Sequence, residues 1–380
     1  MEFDLIMRRM KKKILVIGNC YYVVFRFRKE LIKRCVDEGF EVWTAFPDGS
    51  HGEKERGSDT AQRLKCHFSE IKMARRNFNP VDEIQLYLAL RKLICQIRPD
   101  LILTFTIKPN LYGGILAHKY QIPFMMNITG LGSALGKDGF LSQILQNFMI
   151  HNMKSAACVF FQNTYDRDYF LDHGYPGKNM EMLPGSGVNL AEYRLLPYPD
   201  TSVIRFLYMA RVMKEKGIEQ FLELARHYAD REDVEFHICG DCEEDYLPVL
   251  KKLEQEKIMV YHGQVSAVEK YIRLAHCIVL PTFYHEGVPN TLLEAMACGR
   301  PVITTDHPGC RETVLDGVNG YLCEVHDSAG LIKKTEQFLS LSEKEKENMG
   351  LAGRRKAERE FDRNMVVTTY MDYINTLIAR

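Results

Sequence analysis

Short apolar runs recur along the chain, and segments with apolar residues at every third or fourth position separate them. The first run, "ILVIG", ends at Gly18, and "FRKELIKRCVDEGF" follows it with helical spacing and stops at Gly39. "EVWTAFP" then has the composition of a second strand. Short, continuous apolar runs are typical of strands that are buried in parallel sheets. A regular alternation of such strands with helices predicts an α/β protein.

The same alternation starts afresh after a stretch rich in proline and glycine, residues 183–202, which has the composition of an interdomain connection. "IRFLYMAR", "VEFHICG", "CIVLPTF" and "PVITTD" follow as further strands. We therefore predict two Rossmann-like domains that face a cleft, with ligands bound outside the carboxyl ends of their strands. The predicted boundaries are 11–186 for the first domain, 187–202 for a linker, 203–358 for the second domain, and 359–380 for a helix that returns to the first.

The composition is that of an ordinary globular protein, with 46% apolar and 26% charged residues. The net charge of zero hides an asymmetry, since residues 1–190 carry a net charge of +7 and the remainder a net charge of −7. The basic half favours an anionic partner, such as a phosphate-bearing substrate or an anionic membrane surface. Scattered solvated lysines explain the excess equally well. No apolar stretch approaches the length of a membrane-spanning helix.

Eleven cysteines occur without a recognisable secretory signal, which predicts free thiols in a reducing, cytoplasmic setting. Cys239 and Cys242 have the C-x-x-C spacing of zinc ligands, and His237 and His262 lie nearby in the sequence. A second pair with this spacing is absent from the sequence, so we favour a role for these thiols as small hydrophobic groups at the end of a strand. The sequence therefore predicts no metal site.

The segment "MARVMKEKG" places two cations at the carboxyl end of a predicted strand. Arg211 and Lys216 lie five residues apart, just before a predicted helix begins. Two cations next to the free N–H groups of a helix N-terminus suit a diphosphate ligand. Two solvated loop cations are the alternative, and this segment alone does not decide between them.

A second predicted strand–loop–helix unit carries two glutamates, again at the carboxyl end of the strand and the start of the helix. "CIVLPTF" predicts a strand, "YHEG" a tight loop with Glu286, and "PNTLLEAMACG" a helix with Glu294 about one turn inside it. A carboxylate accepts hydrogen bonds, so Glu294 suits the hydroxyls of a ribose. Glu286 and the amide of Gly287 lie where a sugar beyond the diphosphate would be. Spacing alone leaves two alternatives open: the carboxylate pair of an inverting glycosidase, or two acids with structural or surface roles.

Together these motifs resemble those of retaining family-4 glycosyltransferases of GT-B architecture. Glu286 to Glu294 is similar to the E-x7-E motif of that family, and Arg211 to Gly217 is similar to its R-x4-K-G diphosphate motif. In the first half, "TFTIKPNLYGG", "NITGLGSA", "FFQNTYDRDYF" and "LPGSGVNL" resemble a subgroup that acts on undecaprenyl-diphosphate-linked sugars in polysaccharide or glycan assembly. The resemblance covers almost the whole chain, and the combination of the two motifs is specific.

The resemblance implies a role for individual residues. Arg211 and Lys216 are expected to hold the nucleotide diphosphate and, with Glu286 at the donor sugar, to form the catalytic group. Glu294 is expected to bind the ribose hydroxyls, and Gly18 to let the first domain approach the diphosphate. The other expected donor contacts are Gly240, Gly263, Val265, Gly287, Val288, Asn290 and Thr291. The expected acceptor contacts are Lys108, Asn127, Thr129 and Gly130.

One position departs from the pattern of the family. Many relatives have a histidine near the end of the "TFTIK" strand, where this chain has Ile107 and Lys108. We therefore do not expect a histidine general base. Lys108 is expected either to meet a phosphate of the acceptor or to be solvated.

The resemblance implies transfer of a hexose or N-acetylhexosamine from a UDP-sugar to a polyprenyl-diphosphate-linked glycan, with retention at the anomeric carbon and without metal or other cofactor. Such an acceptor implies peripheral attachment to the inner face of the plasma membrane. The candidate contacts are Arg75, Arg76 and Phe78, and an apolar face in residues 140–154 that is more typical of core packing.

Two other classes of protein remain open from the sequence. A GT-B-like sugar-nucleotide epimerase would isomerise a UDP-sugar without any acceptor. A non-catalytic protein would bind sugar nucleotide or glycan without turnover. No nucleic-acid partner is expected.

Overall fold

The structure, a computed structural model, describes residues 11–49, 56–74, 79–135, 139–242 and 244–378. The described chain divides into two compact units. The first unit runs to Ser186 and resumes at Asn364, and the second spans Gly187–Arg363. Each unit is built on its own parallel sheet with helices around it, which confirms the predicted α/β class.

The first unit contains a parallel sheet in which the wholly apolar strands lie at the centre. Its strands are β1 Lys13–Ile17, β2 Glu41–Phe46, β3 His67–Glu70, β4 Leu101–Phe105, β5 Phe124–Ile128, β6 Cys158–Phe161 and β7 Met180–Met182. Their spatial order is β3-β2-β1-β4-β5-β6-β7, and all neighbours are parallel. The order of connection reverses between β1 and β4, and ligands of such sheets bind outside the strand ends at that point.

Helices of the first unit cover both faces of this sheet. They are Phe27–Asp37, Gly57–Leu64, Pro80–Ile97, Gly114–Lys119, Gly132–Leu135, Phe140–Ser155 and Thr164–Asp172, with π-helical turns at Tyr22–Arg26 and Pro109–Gly113. Leu86, Leu90, Ile94 and Ile97 form the buried stripe of the longest of these helices. Their spacing of three and four residues is what turns one face of a helix to the core.

The second unit repeats the architecture with a smaller sheet. Its strands are β8 Ile204–Met209, β9 Val234–Cys239, β10 Val260–Tyr261, β11 Cys277–Leu280, β12 Val302–Thr305 and β13 Gly320–Cys323, in the parallel order β10-β9-β8-β11-β12-β13. Its helices are Ile218–His227, Leu247–Gln255, Val268–Leu274, Asn290–Ala297, Ser328–Leu339 and Glu343–Glu360, with a 3-10 turn at Lys214–Lys216. The order reverses between β8 and β11.

The stretch predicted as a linker, 187–202, packs within the second unit. Tyr193 and Leu196 are buried in the core of that unit. The buried guanidinium of Arg300 donates hydrogen bonds to the carbonyls of Leu196 at 3.3 Å and Pro197 at 2.8 Å. These contacts make the stretch part of the second unit's fold.

The helix Arg363–Ile378 completes the first unit after the chain has formed the second. Val366, Tyr370 and Ile374 are buried on the first sheet together with residues of β1 and β4. The ring centre of Tyr370 lies 4.7 Å from that of Phe160 in β6. Sequence-distant segments therefore share one core.

Of the two segments predicted to contact a membrane, the structure describes only the helix Phe140–Ser155. In the helix Phe140–Ser155, Leu145, Met149 and Met153 are buried in the core, while Phe148 is 48% exposed. Arg75, Arg76 and Phe78 lie outside the described residues. Within the described ranges, none of the helices combines the length and the apolar character needed to span a bilayer.

Candidate active site

Two loops of the second unit meet where its strand order reverses. One follows β8 and contains Lys216, and the other follows β11 and contains Glu286. The backbone N–H of Phe283 donates to the carbonyl of Glu215 at 2.9 Å, and the Thr282 hydroxyl donates to the same carbonyl at 3.1 Å. These two hydrogen bonds fix the loops side by side.

The glycine of the first motif is needed for this close approach. Gly217 has a φ of +76°, and a Cβ at this position would lie 2.0 Å from the carbonyl oxygen of Pro281. The residue ends the 3-10 turn Lys214–Lys216 and precedes the helix Ile218–His227. Any larger side chain would separate the two loops and with them the charged residues that they carry.

Lys216 and Glu286 form an ion pair at the meeting point. Lys216 Nζ donates to Glu286 Oε1, and their side chains are only 9% and 21% exposed. The ring centre of Tyr284 lies 5.4 Å from Lys216 Nζ and 5.8 Å from Arg211 Cζ. The structure therefore brings Arg211 and Lys216 close to one aromatic ring and pairs Lys216 with Glu286, so that the three predicted catalytic residues form one cluster.

Glu294 lies on the helix Asn290–Ala297 and is 6% exposed. The hydroxyl of Thr291 in the same helix donates to the carbonyl of Met209, the last residue of β8, at 2.7 Å. This bond holds the start of the helix against the loop that carries Arg211. Thr291, predicted as a donor contact, thus has its hydroxyl in a structural bond, and Val288 is buried ahead of it.

A third loop, which follows β12, packs against the backbone of Glu286 and Gly287. Gly309 has a φ of +88°, and a Cβ there would lie 1.7 Å from the carbonyl oxygen of Gly287 and 3.1 Å from that of Glu286. The N–H of Gly309 donates to a Glu312 carboxylate oxygen at 2.7 Å, which holds the loop in this shape. Burial raises the pKa of the Glu312 carboxyl.

Two histidine rings lie beside this support. The ring centres of His285 and His307 are 4.9 Å apart. Burial is the main cause that lowers the pKa of both, and for His307 the neighbouring His285 adds to it and the pKa falls to about 4. His307 is therefore neutral at neutral pH, so the positive charge of the site comes from Arg211 and Lys216.

Three of the expected donor contacts, Gly240, Gly263 and Val265, lie in loops next to the loop that carries Arg211 and Lys216. The N–H of Gly240 donates to the carbonyl of Gly263 at 2.9 Å. A Cβ on Gly240 would lie 1.7 Å from the carbonyl oxygen of Ala210, the residue before Arg211. Val265 packs partly buried against the core of the unit. The loops after β8, β9 and β10 are thus adjacent.

The candidate zinc pair has ordinary structural roles. Cys239 is buried at the end of β9, and the Cys242 thiol donates to the carbonyl of Glu244 at 3.0 Å. His237 and His262 share a hydrogen bond of 2.9 Å with each other. Within the described ranges, no three histidine, cysteine or acidic side chains are grouped so that they could hold a metal ion.

In the first unit, two of the predicted site residues contribute to packing. Gly18 follows β1, and a Cβ there would lie 2.5 Å from a methyl group of Val24, so the residue allows the π-helical turn to pack closely. Asn127 is buried, donates to the carbonyl of Thr104 at 3.1 Å, and accepts a hydrogen bond from Tyr370. Both ends of the Asn127 amide are thus hydrogen-bonded inside the core.

Lys108 is neither solvated nor exposed. Its side chain is 4% exposed and forms an ion pair with Glu83, which belongs to the helix Pro80–Ile97. Thr129 and Gly130 follow β5 at the carboxyl edge of the same sheet, and Gly130 has a φ of +114°. The structure thus gives Lys108 a partner that its local sequence did not indicate.

Sequence analysis missed three residues that shape these sites: Tyr284, Gly309 and Glu83. Tyr284 stands two residues before Glu286, so its place in the motif loop was a usable signal, although its contact with the two cations was not. Gly309 lies in "HPGC" directly after a predicted strand, where a glycine often marks a close backbone approach. Glu83 gave no signal, because its partner Lys108 lies in another element.

Comparison with known proteins identifies the class. Residues 13–163 match the family described as glycosyl transferase 4-like, and residues 199–356 match glycosyl transferases group 1. The two models together span most of the chain. The chain therefore belongs to the glycosyltransferases, as the motif resemblance predicted.

Two relatives extend over nearly the full length. The chain is 24% identical over 376 residues to N,N'-diacetylbacillosaminyl-diphospho-undecaprenol alpha-1,3-N-acetylgalactosaminyltransferase of Campylobacter jejuni, covering 93% of this chain and 96% of that protein. It is 25% identical over 354 residues to the putative glycosyltransferase EpsD of Bacillus subtilis, covering 87% and 88%.

Solved structures confirm the predicted GT-B fold. Sucrose-phosphate synthase of Thermosynechococcus elongatus matches with a TM-score of 0.80 at 16% identity, over 97% of this chain and 100% of that chain. Anabaena Alr3699/HepE in complex with UDP and glucose matches with a TM-score of 0.76 at 15% identity, over 96% and 99%. At this level of identity the likeness concerns the fold alone.

Proposed function

We propose that the protein transfers a hexose or N-acetylhexosamine from a UDP-sugar to a sugar carried on polyprenyl diphosphate, with retention at the anomeric carbon. The observation that carries this proposal is the cluster in which Arg211 and Lys216 lie close to the ring of Tyr284 and Lys216 pairs with Glu286. The Campylobacter relative is named for a diphospho-undecaprenol-linked sugar, which supports the acceptor class. The Anabaena structure contains UDP and glucose, which supports the donor class.

In this proposal each charged residue has one task. Arg211 and Lys216 stabilise the negative charge that develops on the leaving diphosphate. Glu294 accepts hydrogen bonds from the ribose hydroxyls. Lys216 is paired with Glu286, and we infer that donor binding exchanges this pair for a lysine–phosphate contact. The exchange frees the Glu286 carboxylate to accept a hydroxyl of the donor sugar.

The proposed transfer proceeds on one face of the donor sugar. The bond between the anomeric carbon and the diphosphate oxygen breaks, and the acceptor oxygen bonds to the same carbon from the same side. The proton of the acceptor hydroxyl passes to the leaving phosphate oxygen, so no side-chain base is needed. The cations of the second unit supply the charge stabilisation, and the proposal includes no resident metal.

The test is release of UDP from UDP-glucose, UDP-galactose and their N-acetylamino forms, with and without an undecaprenyl-diphosphate-linked sugar. Lys216→Ala and Glu294→Ala are each expected to lower turnover by about 100-fold or more. Lys214→Ala, in the same turn but 60% exposed, is the matched control. NMR of the product linkage tests retention.

Each other outcome of this assay points to a different conclusion. An absence of turnover with every donor would contradict the enzyme proposal. Isomerised UDP-sugar formed without acceptor would indicate an epimerase, and saturable binding without turnover would indicate a binding protein. Full activity in both variants would remove the site assignment.

We also propose that the protein works in the cytoplasm at the inner face of the plasma membrane, since a polyprenyl acceptor resides in the bilayer. The net charge of +7 on residues 1–190 favours contact with anionic lipid. Co-sedimentation with anionic vesicles is expected at low salt and is expected to weaken at high salt. Absence from such vesicles at low salt would contradict this attachment.

A further inference from the structure

A pocket in the second unit lies apart from the residues of the proposed transfer. It has a volume of about 230 Å³ and is lined by side chains of β8 and β9, by His262 after β10, and by the helix Val268–Leu274. It extends to Arg205 and Ala275, at the amino ends of β8 and β11. Arg205 lies four residues before the end of β8, about 13 Å along the strand. The pocket thus lies on a face of the sheet, and not at the carboxyl edge that carries the cations of the candidate active site.

The size and the walls of the pocket suit one flat ring. A dry cavity of about 150 Å³ accommodates a benzene molecule, so this pocket has room for a ring with a small substituent. Leu207 forms a buried apolar wall, and Leu274 lies at the opening and is 50% exposed. The ring of Tyr271 lies 4.7 Å from that of His262, centre to centre. Apolar and aromatic walls of this kind bind small ring compounds.

Four polar side chains form a continuous network along the sheet at this pocket. The parallel register pairs Arg205 with Glu235 and Leu207 with His237, so these side chains share one face. Arg205 Nε donates to Glu235 Oε2 at 2.7 Å, and His237 Nε2 lies 3.4 Å from the same oxygen. His237 Nδ1 lies 2.9 Å from His262 Nε2, and the two imidazole rings are stacked with an angle of 1° between their planes.

The carboxylate at the start of this network sets the tautomer of both rings. A carboxylate only accepts, so His237 Nε2 carries the hydrogen that it donates to Glu235. Burial is the first cause that lowers the pKa of both histidines, so both rings are neutral at neutral pH. His237 Nδ1 therefore accepts, His262 Nε2 donates, and His262 Nδ1 keeps its lone pair. A further proton enters this pair at His262 Nδ1.

The charges that line the pocket favour an anion. Its charged lining residues are two cations, Arg205 and Lys270. The carboxylates that act on the two histidines are Glu235 and Glu254, and both are outside the lining. Glu235 pairs with Arg205, and Glu254 accepts the N–H of Tyr261 at 3.1 Å. Among the residues that the structure describes, no carboxylate pairs with Lys270, so its charge is available to a ligand.

We propose that this pocket is a second ligand site, which binds a small molecule composed of one flat ring and a carboxylate. The ring packs against Leu207 and Tyr271, and the carboxylate lies at Lys270. The bound negative charge favours uptake of a proton at His262. The existence of this site does not depend on the proposed function.

A short loop connects the pocket to the expected donor contacts. Gly263 and Val265 lie between His262 and the helix that carries Lys270, so both ends of the loop are pocket residues. The carbonyl of Gly263 accepts the N–H of Gly240 at 2.9 Å. A ligand that holds both ends restrains the loop, and UDP then binds with a smaller loss of conformational entropy. Occupation of the pocket is therefore expected to tighten UDP binding, and this part of the inference rests on the proposed function.

The test of the site is an NMR titration of the full-length protein with benzoate. A Kd of about 0.1–1 mM is expected for a ligand of this size. Benzamide has the ring without the charge, hexanoate has the charge without the ring, and both are expected to bind at least about 5-fold more weakly.

Two substitutions in the exposed part of the pocket test its contacts. Lys270→Gln is expected to weaken benzoate binding about 3- to 5-fold. Leu274→Glu places a carboxylate one helical turn after Lys270, where it competes for the ammonium, and is expected to weaken binding about 10-fold or more. Lys251→Gln, at an exposed position in the helix Leu247–Gln255, is the matched control and is expected to bind like the native protein.

The pH dependence of benzoate binding tests the role of His262. Because a bound anion raises the pKa of this ring, binding takes up a proton and tightens as the pH falls. The affinity of the native protein is expected to rise about 3- to 10-fold from pH 7.5 to pH 5.5, where a carboxylate is still ionised. His262→Gln keeps a donor for His237 and removes the nitrogen that takes up the proton, so its affinity is expected to stay constant.

Calorimetry of UDP binding with and without benzoate tests the connection to the donor contacts. Benzoate is expected to lower the Kd of UDP about 3- to 10-fold in the native protein and to leave it unchanged in Leu274→Glu. An unchanged Kd in the native protein would contradict this connection. If the native protein binds no UDP, the proposed function fails, and the benzoate titration still tests the pocket. No benzoate binding by the native protein, or equal binding of benzoate, benzamide and hexanoate, would overturn the site.

Discussion

Replacement of Gly309 by alanine is expected to move the Glu286 loop. The new methyl group would lie 1.7 Å from the carbonyl oxygen of Gly287, so the two loops have to separate by more than about 1 Å to reach an ordinary contact. A displacement of about 1 Å at reacting groups lowers catalysis by roughly 100-fold. We therefore expect kcat/KM for the UDP-sugar to fall by about that factor in Gly309→Ala.

The same substitution also lowers stability, and Gly317 provides a matched control. Gly317 has a φ of +76°, but a Cβ there would have nothing within 4 Å. Gly317→Ala is therefore expected to lower the unfolding free energy only by the cost of placing alanine in a left-handed conformation, about 1–2 kcal/mol. Gly309→Ala adds the overpacking of two loops, about 1–3 kcal/mol, for a total of about 2–5 kcal/mol.

Urea unfolding and UDP release measure the two effects in the same preparations. Gly309→Ala is expected to lose more unfolding free energy than Gly317→Ala and, in addition, most of its turnover. Equal unfolding free energies with equal turnover in the two variants would refute the idea that Gly309 supports the Glu286 loop. Retained turnover with lower stability would show that the loop absorbs the displacement without moving Glu286.

Three further predictions concern the second unit. Tyr284→Leu is expected to weaken UDP binding by about 3- to 10-fold in calorimetry because the ring beside two cations is lost, and Tyr284→Phe is expected to bind like the native protein. Burial is the main cause that lowers the pKa of His276 to about 4, whereas in the unfolded chain the ring titrates near about 6.5. Between these two pKa values only the unfolded chain binds the proton. The contribution of His276 to the unfolding free energy is therefore complete above about pH 6.5, and up to about 3 kcal/mol of it is lost as the pH falls towards 4. His276→Gln is expected to make the unfolding free energy less dependent on pH in this range, and an unchanged dependence would contradict this account. Arg300→Lys is expected to lower the unfolding free energy by about 2–4 kcal/mol, because one ammonium cannot donate to all five carbonyls to which the guanidinium donates. An unfolding free energy equal to that of the native protein would contradict this account.

The features that sequence predicted well are local ones. The strand "CIVLPTF" and the helix that contains Glu294 appear as β11 and Asn290–Ala297, because their apolar runs and terminal residues lie within a few positions of each other. Arg211 and Lys216 were identified through a motif that is itself a strand end and a helix start. What the sequence did not indicate was that the ring of Tyr284, from a distant loop, lies close to both cations.

The features that sequence missed depend on distant partners. Lys108 meets Glu83 from 25 positions away, and Asn127 meets Tyr370 from 243 positions away. Neither pairing leaves a trace in local periodicity or composition. Residues 187–202 have the proline and glycine content of a linker, and the backbone carbonyls that Arg300 binds there have no sequence signature at all.

The path of the chain through its two units has a consequence for synthesis on the ribosome. The second unit is one continuous segment, Gly187–Arg363, whereas the first unit needs residues from Asn364 onward. Until these emerge, the ring of Phe160 and its neighbours on that face of the first sheet lack the cover that Tyr370 provides. The unit that is translated first is therefore the last to be completed, and the apolar face that the final helix covers stays open to solvent while the second unit is synthesised.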